Sequence, residues 1–259
     1  MHKFDKAALT YSSHNLLQRQ AAAILYDMLP ANASSILDLG CGPGSSLTKL
    51  KQIYNNQLVL AMDLSPKMAR IANTISPTVI ADACNLPFKQ NSFDLVFSNL
   101  VIQWLLDLEQ IFTNILAITA YNGEIIGSTL GNNSLIEART ALASIDRAEN
   151  INNFHEMQII GDMLSKTGWQ EIYTASENIE IEHNTPESVF QTLKQTGANT
   201  MLNSNAKQTV LTPKAWKKCL SNYPKANNKY IATFEVITFR AKKKAPKNSF
   251  LISDISRKK

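Results

Sequence analysis

The sequence predicts an α/β fold, a mostly parallel sheet with helices on both faces, and three observations carry that prediction. Short apolar runs recur at the spacing of strand-helix-strand units. Two of them, Ile36-Leu37-Asp38-Leu39 and Leu58-Val59-Leu60-Ala61-Met62-Asp63, carry or close on a carboxylate. The first then passes straight into Gly40-Cys41-Gly42-Pro43-Gly44. Glycines at alternate positions let bare backbone lie against a ligand where a side chain would collide. In a parallel sheet the carboxyl ends of neighbouring strands line one crevice. Asp63 is therefore expected beside the glycine turn, where it can accept both hydroxyls of a ribose. The pattern reads as a nucleotide-type site.

The elements follow in order. Leu16 to Leu29 is rich in strong helix formers with apolar residues at three-to-four spacing, and Pro30 closes it. Strands are predicted at Ser35–Leu39, Leu58–Asp63, Thr78–Ala81, Phe93–Ser98 and Glu124–Thr129, with helices between them at Ser45–Gln52, Pro66–Thr74 and Asp107–Ala120. Beyond Leu130 the alternation slackens into helices at Ser134–Arg147 and Met157–Thr167, the second ended by Gly168. Two longer β runs, Gln170–Ile181 and Tyr230–Lys242, read as an antiparallel pair at the sheet edge and bring the sheet to seven strands. Between them Thr185-Pro186 and Thr212-Pro213 each offer a capping hydroxyl followed by proline at the first helical position, which predicts two covering helices.

Composition bounds the partners. The 259 residues, 44% of them hydrophobic, suffice for one full core. We expect one domain over residues 1–242, with cover segments at about 131–167 and 184–222, and a basic tail at 243–259. No run of about 18 apolar residues is present to span a bilayer, and Met1-His2-Lys3-Phe4-Asp5-Lys6 lacks the apolar core of a secretion signal, so the expectation is a cytoplasmic protein without membrane attachment. Cys41, Cys84 and Cys219 form no Cys-x-x-Cys pair and the four histidines are scattered, so neither a metal site nor a disulfide is expected. The net charge of +5 is concentrated at the end: eight basic residues from Arg240 onward stand against Asp254, which leaves the first 239 residues at −2. Such an end reads as a solvated tail or as an attraction for an acidic partner, a carrier protein or nucleic acid.

The spacing of the glycines narrows the ligand. A dinucleotide fingerprint, Gly-x-Gly-x-x-Gly, receives a pyrophosphate. Here the third glycine comes one residue early, and Asp38 stands two residues before Gly40. An acidic group is a poor neighbour for pyrophosphate and a good one for a ligand carrying an ammonium and a sulfonium. The segment resembles motif I of the S-adenosylmethionine-dependent class I methyltransferases, a Rossmann-like fold, matched by Asp38, Gly40, Gly42 and Gly44. Ala81-Asp82-Ala83-Cys84-Asn85-Leu86-Pro87-Phe88 is similar to the segment in which those enzymes hold adenine, which here implies Asp82 for the amino group and the Ala83 N–H for the ring, with Leu64 against the adenine face. The Asn/Asp-Pro-Pro-Tyr/Phe motif of amide or adenine nitrogen methylation is absent, as is a Pro-Cys nucleophile for cytosine.

A narrower resemblance extends over residues 4 to about 240. Ser98-Asn99-Leu100 with Gln103-Trp104, Phe4-Asp5-Lys6-Ala7-Ala8 with Tyr11 and Leu17-Gln18, Ser134-Leu135 with Glu137 and Arg139, Leu193-Lys194-Gln195-Thr196-Gly197-Ala198, and Tyr230 resemble the malonyl-acyl-carrier-protein O-methyltransferases of biotin synthesis. The resemblance implies methylation of a free malonyl carboxylate by S-adenosylmethionine. It implies cofactor binding by Asp38, Gly40, Cys41, Gly42, Gly44, Asp63, Leu64, Asp82, Ala83 and Asn99. Tyr11, Gln103 and Arg139 would position substrate, Trp104 would wall the pocket, and no general base is needed because a carboxylate is already anionic at neutral pH. The partner implied is a carrier protein with a malonyl thioester; carrier proteins are acidic, and Arg19, Lys194 and Lys207 are candidates to meet one. Two alternatives stay open: a methyltransferase acting on another small metabolite or on RNA, which the near-neutral body disfavours, and a non-catalytic S-adenosylmethionine-binding protein.

Overall fold

The computed structural model describes residues 15–55, 57–195 and 211–246. Tyr11, the segment Phe4–Ala8, Lys207, residues 196–198 and most of the basic tail therefore lie outside the described residues.

Seven strands form one sheet: β1 (Ser35–Leu39), β2 (Leu58–Asp63), β3 (Thr78–Ile80), β4 (Phe93–Asn99), β5 (Thr119–Leu130), β6 (Gln170–His183) and β7 (Tyr230–Lys242). Their order is β3-β2-β1-β4-β5-β7-β6. The first five run parallel, with Leu37 opposite Leu60 and Val96. β7 enters antiparallel, Leu130 opposite Val236, and pairs antiparallel with β6 at the edge. Eight α-helices accompany the strands among the described residues: α1 (Leu16–Asp27), α2 (Leu47–Ile53), α3 (Pro66–Ala72), α4 (Leu108–Ile118), α5 (Ile136–Ala143), α6 (Met157–Lys166), α7 (Pro186–Gln195) and α8 (Pro213–Ser221).

The apolar runs lack alternation because both faces of the sheet are covered. On one face Leu37, Leu39, Val96 and Ile125 meet α4 and α6 through Phe112, Ile115, Ile160 and Leu164. On the other Ile36, Leu95, Phe97 and Ile126 meet α1 and α2 through Leu25, Leu47 and Leu50. A third cluster joins α5, α7 and α8 to Leu130, Phe234 and Val236 at one end of the sheet.

The predicted caps form. The Thr185 and Thr212 hydroxyls accept from the backbone N–H groups of Ser188 and Ala215, both at 3.2 Å. Gly168, at φ +100°, ends α6 in a Schellman turn: its N–H donates to Ser165 O, and that of Trp169 donates to Leu164 O at 3.1 Å. Boundaries differ where pairing overrides propensity. α4 stops at Ile118 because Thr119 already pairs with Phe93, so β5 starts five residues before its apolar run. Its added segment is held from the far strand, Asn122 donating to Lys243 O and Lys243 to Gly123 O. The helix expected at Ser134–Arg147 is shorter, because Leu135 adopts φ +61° to bring its N–H to Thr233 O at 2.6 Å.

Candidate functional site

The carboxyl ends of β1, β2 and β4 open into a cavity of about 200 Å³. The glycine turn leaves β1 and folds onto the end of β2, where Met62 O accepts from Gly40 N at 2.8 Å and Cys41 N at 3.0 Å. Asp63 then clamps the turn. Its Oδ2 accepts from Gly42 N at 2.9 Å and its Oδ1 from Ser65 N at 2.7 Å. A carboxylate has about four acceptor sites, so these bonds orient the group without exhausting it. Ser65 in turn caps α3, accepting from Met68 N at 3.3 Å with Pro66 at the first helical position.

The expected residues are brought together in part. Gly40, Gly42, Asp63, Leu64, Asp82, Ala83, Asn99, Gln103 and Trp104 all line the cavity. Asp82 accepts from Cys84 N at 2.9 Å, closing the loop that presents Ala83. Asn99 is fixed from both sides, its amide donating to Gln18 O at 2.9 Å and its carbonyl oxygen accepting from Ser128 Oγ at 2.8 Å.

Four residues of the expected set stand away from the lining. Cys41 is buried, with burial as the chief cause that drives its thiol pKa upward. Gly44 lies under α3, where a Cβ would come within 3.0 Å of Ile75 and Leu47. Gly40 lines the cavity, but the space its missing Cβ leaves is filled by the Val101 methyl groups. Both glycines have positive φ, +72° and +92°, so close packing and left-handed backbone require them rather than an approaching ligand. Arg139 is committed to the chain, donating to Asn152 O at 3.0 Å and Asn153 Oδ1 at 3.2 Å. Asp38, 2% exposed, lies beneath the turn. Burial first, and the Asp63 charge second, push its carboxyl up to about 8.

The sequence reading missed the other walls: Met62, Met68, Leu105, Leu130 and Phe234, together with Leu17 and Gln18 of α1, noted only as part of a resemblance. Leu100 too was noted only as part of the resemblance, beside Ser98 and Asn99. It sits at φ +53°, a costly conformation for a leucine, and its N–H is shared between Ser128 O and Ser128 Oγ. That bend delivers Leu100 O to Gln103 Nε2 at 2.7 Å. No one-dimensional signal marks it, because leucine at a strand end reads as core.

Three buried oxygens at this site, Asp38 Oδ2, Gln18 Oε1 and Gln103 Oε1, have no hydrogen-bond partner among the described residues. The two amide oxygens accept, so their missing partner must donate, and Asp38 can accept once its proton has left. The ammonium of a ligand that also carries a sulfonium meets that demand, and Asp63 and Asp82 at separate points of the wall suit a ribose and an adenine amine. This set of acceptors fits S-adenosylmethionine.

A family model for a methyltransferase domain matches residues 37–127, the glycine turn through β5. The chain is 30% identical to a malonyl-[acyl-carrier protein] O-methyltransferase of Gallionella capsiferriformans over 94% of its own length and 90% of the relative's. It is 32% identical to the enzyme of that name from Marinomonas sp., covering 87% and 86%. The chain belongs to the malonyl-[acyl-carrier protein] O-methyltransferase family. Solved structures agree in fold. The YcgJ protein of Bacillus subtilis superposes with a TM-score of 0.61 at 11% identity, covering 88% of this chain and 99% of that one. The phosphoethanolamine N-methyltransferase 2 of Haemonchus contortus, solved with S-adenosyl-L-methionine, gives 0.60 at 20% identity and covers 93% and 57%. As a member of the malonyl-[acyl-carrier protein] O-methyltransferase family, the chain has the seven-stranded class I architecture in full. No helix among the described residues is long and apolar enough to cross a membrane.

Proposed function

We propose that the chain is a cytoplasmic S-adenosylmethionine-dependent O-methyltransferase that esterifies the free carboxylate of malonyl-acyl-carrier protein, an early step of biotin synthesis. The observation that carries this reading is the chemistry of the cavity wall: orphaned acceptors and two carboxylates, and no histidine, lysine or arginine among the described lining residues. With Asp63 and Asp82 assigned to the cofactor, such a wall offers no further general base and no phosphate-binding cations. It suits an acceptor that is ionised before it arrives, as a malonyl carboxyl with a pKa of about 3 to 4 is, and it disfavours nucleic acid.

Asp63 would hold the ribose, Asp82 and the Ala83 N–H the adenine, with Leu64 against its face, and Asp38, Gln18 and the glycine turn the amino-acid end. When bound, S-adenosylmethionine supplies a methyl group made electrophilic by the sulfonium. The carboxylate oxygen forms the new C–O bond as the C–S bond breaks, and no proton is exchanged. The protein's work is alignment and the exclusion of water. Gln103, its amide pinned to Leu100 O, and Trp104, beside the cover cluster, would shape the acceptor side. Tyr11 keeps its proposed positioning role by resemblance. Arg139, tied to the loop at 151–153, is proposed to act by holding that loop.

The direct test incubates the purified protein with methyl-labelled S-adenosylmethionine and, separately, malonyl-carrier protein, malonyl-coenzyme A and bulk RNA. Base-labile label on the malonyl group is expected. Label on RNA alone would overturn the assignment.

Asp38 gives the cofactor site a pH dependence. With its carboxyl near 8, the ligand-free protein holds a proton there that the unfolded chain has released. This contribution to stability is complete below about pH 4, the unfolded value, and is lost as the pH rises through about 8. A bound ammonium favours the carboxylate, so binding expels the proton. Affinity should rise from pH 6 to about 7.5 by up to about tenfold per unit, then fall as the ligand's own amine, with a pKa of about 7.7 to 8.0, loses its proton. Asp38→Asn should remove the rising limb. Calorimetric titration across this range, with proton release measured in buffers of different ionisation enthalpy, checks both expectations.

A further inference from the structure

The charge of this chain is segregated in a way the overall balance conceals. Between Ser188 and Phe234 there are seven lysines and no acidic residue. The rest of the first 239 residues therefore carries −9 against +7 in this one stretch. Its described lysines lie outward. α8 turns Trp216 and the fully buried Cys219 inward, Trp216 packing edge-on to Phe190 with ring centroids 5.0 Å apart. Lys214, Lys217 and Lys218, at three-to-four spacing, fall on the opposite, exposed side. In the loop that follows, Lys225 lies 5.7 Å from the Tyr230 ring centre and Lys229 donates to Asn184 Oδ1 at 2.6 Å, which holds both at the surface. None of the five forms an ion pair among the described residues.

Topology puts this face at the cavity end of the molecule. His183 ends β6 opposite Tyr230, the first residue of β7, and Leu130 ends β5 opposite Val236. Residues 184–229 thus leave and rejoin the sheet at the end where β1, β2 and β4 open. The inward side of the same layer joins the apolar cluster of Leu100, Trp104, Leu130 and Phe234, all cavity walls. The lysines are the outer surface of the layer whose inner surface closes the site.

We infer that the outer face of α8 and the loop to Lys229 dock the acidic body of the acyl-carrier protein, so that its acyl arm enters the cavity past the cover. The inference rests on the proposed function for the identity of the partner. Charge complementarity chooses the occupant: a concentrated positive face on a body whose other residues before Arg240 carry −9 steers an acidic protein towards one orientation. Malonyl-coenzyme A carries the compact phosphate charge of its nucleotide but no broad acidic protein surface to span α8 and the loop, so the face discriminates between two thioesters with the same acyl group.

The test compares the full-length protein with Lys214→Glu/Lys217→Glu/Lys218→Glu and with Lys89→Glu/Lys166→Glu/Lys244→Glu. The second triple makes the same charge change outside the cover layer of residues 184–229. Kd for malonyl-carrier protein and KM for the same acceptor should rise at least about tenfold in the first triple, with the salt dependence of binding flattened, and less than about twofold in the second. S-adenosylmethionine affinity and turnover of malonyl-coenzyme A should be unchanged in both, which also reports that the variants are folded. An unchanged Kd in the first triple, equal losses in the two, or tighter binding of bulk RNA that the first triple abolishes would overturn the docking site. A wild-type protein that binds carrier protein through this face and never methylates it would overturn the proposed function and leave the docking site standing.

Discussion

Asp63→Ala is expected to weaken S-adenosylmethionine binding at least about tenfold, and by more if the glycine turn loses its shape. The carboxylate accepts from Gly42 N and Ser65 N, one oxygen to each, and hydrogen bonds to a charged acceptor contribute about 1.5 to 3 kcal/mol apiece. Removing it strands two backbone donors and the ribose hydroxyls together. Gly42 sits at φ +55°, a conformation the remaining bonds of the turn, Gly40 and Cys41 to Met62 O, hold less directly. Asp63→Asn separates the contributions, because its amide keeps one acceptor and sets a donor against an N–H at the other, so an intermediate loss is expected. Calorimetric titration supplies the measurement, and wild-type affinity in the alanine variant would remove Asp63 from the site.

Trp169→Ala should bring the largest loss of stability, about 3 to 5 kcal/mol. The indole is 2% exposed and packs in the cluster beneath α4 and α6. Its Nε1 donates to Phe112 O at 3.1 Å. Phe112 meets Phe239 edge to face at 5.7 Å, so a cavity here loosens the contact between α4 and β7. Trp169→Phe keeps most of the volume and loses the donor, leaving Phe112 O to α4 alone, so it should cost less than half as much. Denaturant unfolding followed by circular dichroism distinguishes the two, and equal midpoints for wild type and the alanine variant would contradict the packing argument.

Much of the site was legible because the features that build it are local. A strand that ends on a carboxylate places it at the sheet's edge whatever surrounds it, and Asp63 is where that rule puts it. The Thr185-Pro186 and Thr212-Pro213 caps and the Gly168 stop were readable for the same reason, since each is a bond between residues a few positions apart. Gly40 and Gly44 were legible as necessary, and packing supplies a cause the sequence did not show, while Gly42 faces the cavity as expected of a bare backbone. Gly40 answers to Val101, 61 positions away, and Gly44 to Ile75. Arg139 could not be separated from a substrate clamp without knowing that the loop at 151–153 returns to it.

The amino-acid sequence by itself determined the parallel α/β order, the turn between β1 and α2 and the acidic end of β2, because backbone periodicity, capping and φ preference act over a few residues. Tertiary structure alone decided which amide oxygens are left without donors, that burial and Asp63 raise the Asp38 carboxyl to about 8, and that Lys214, Lys217, Lys218, Lys225 and Lys229 share the outer surface of one cover. These depend on burial and on charges meeting across the fold, and both are sums over neighbours that the chain acquires only when the sheet closes and excludes water.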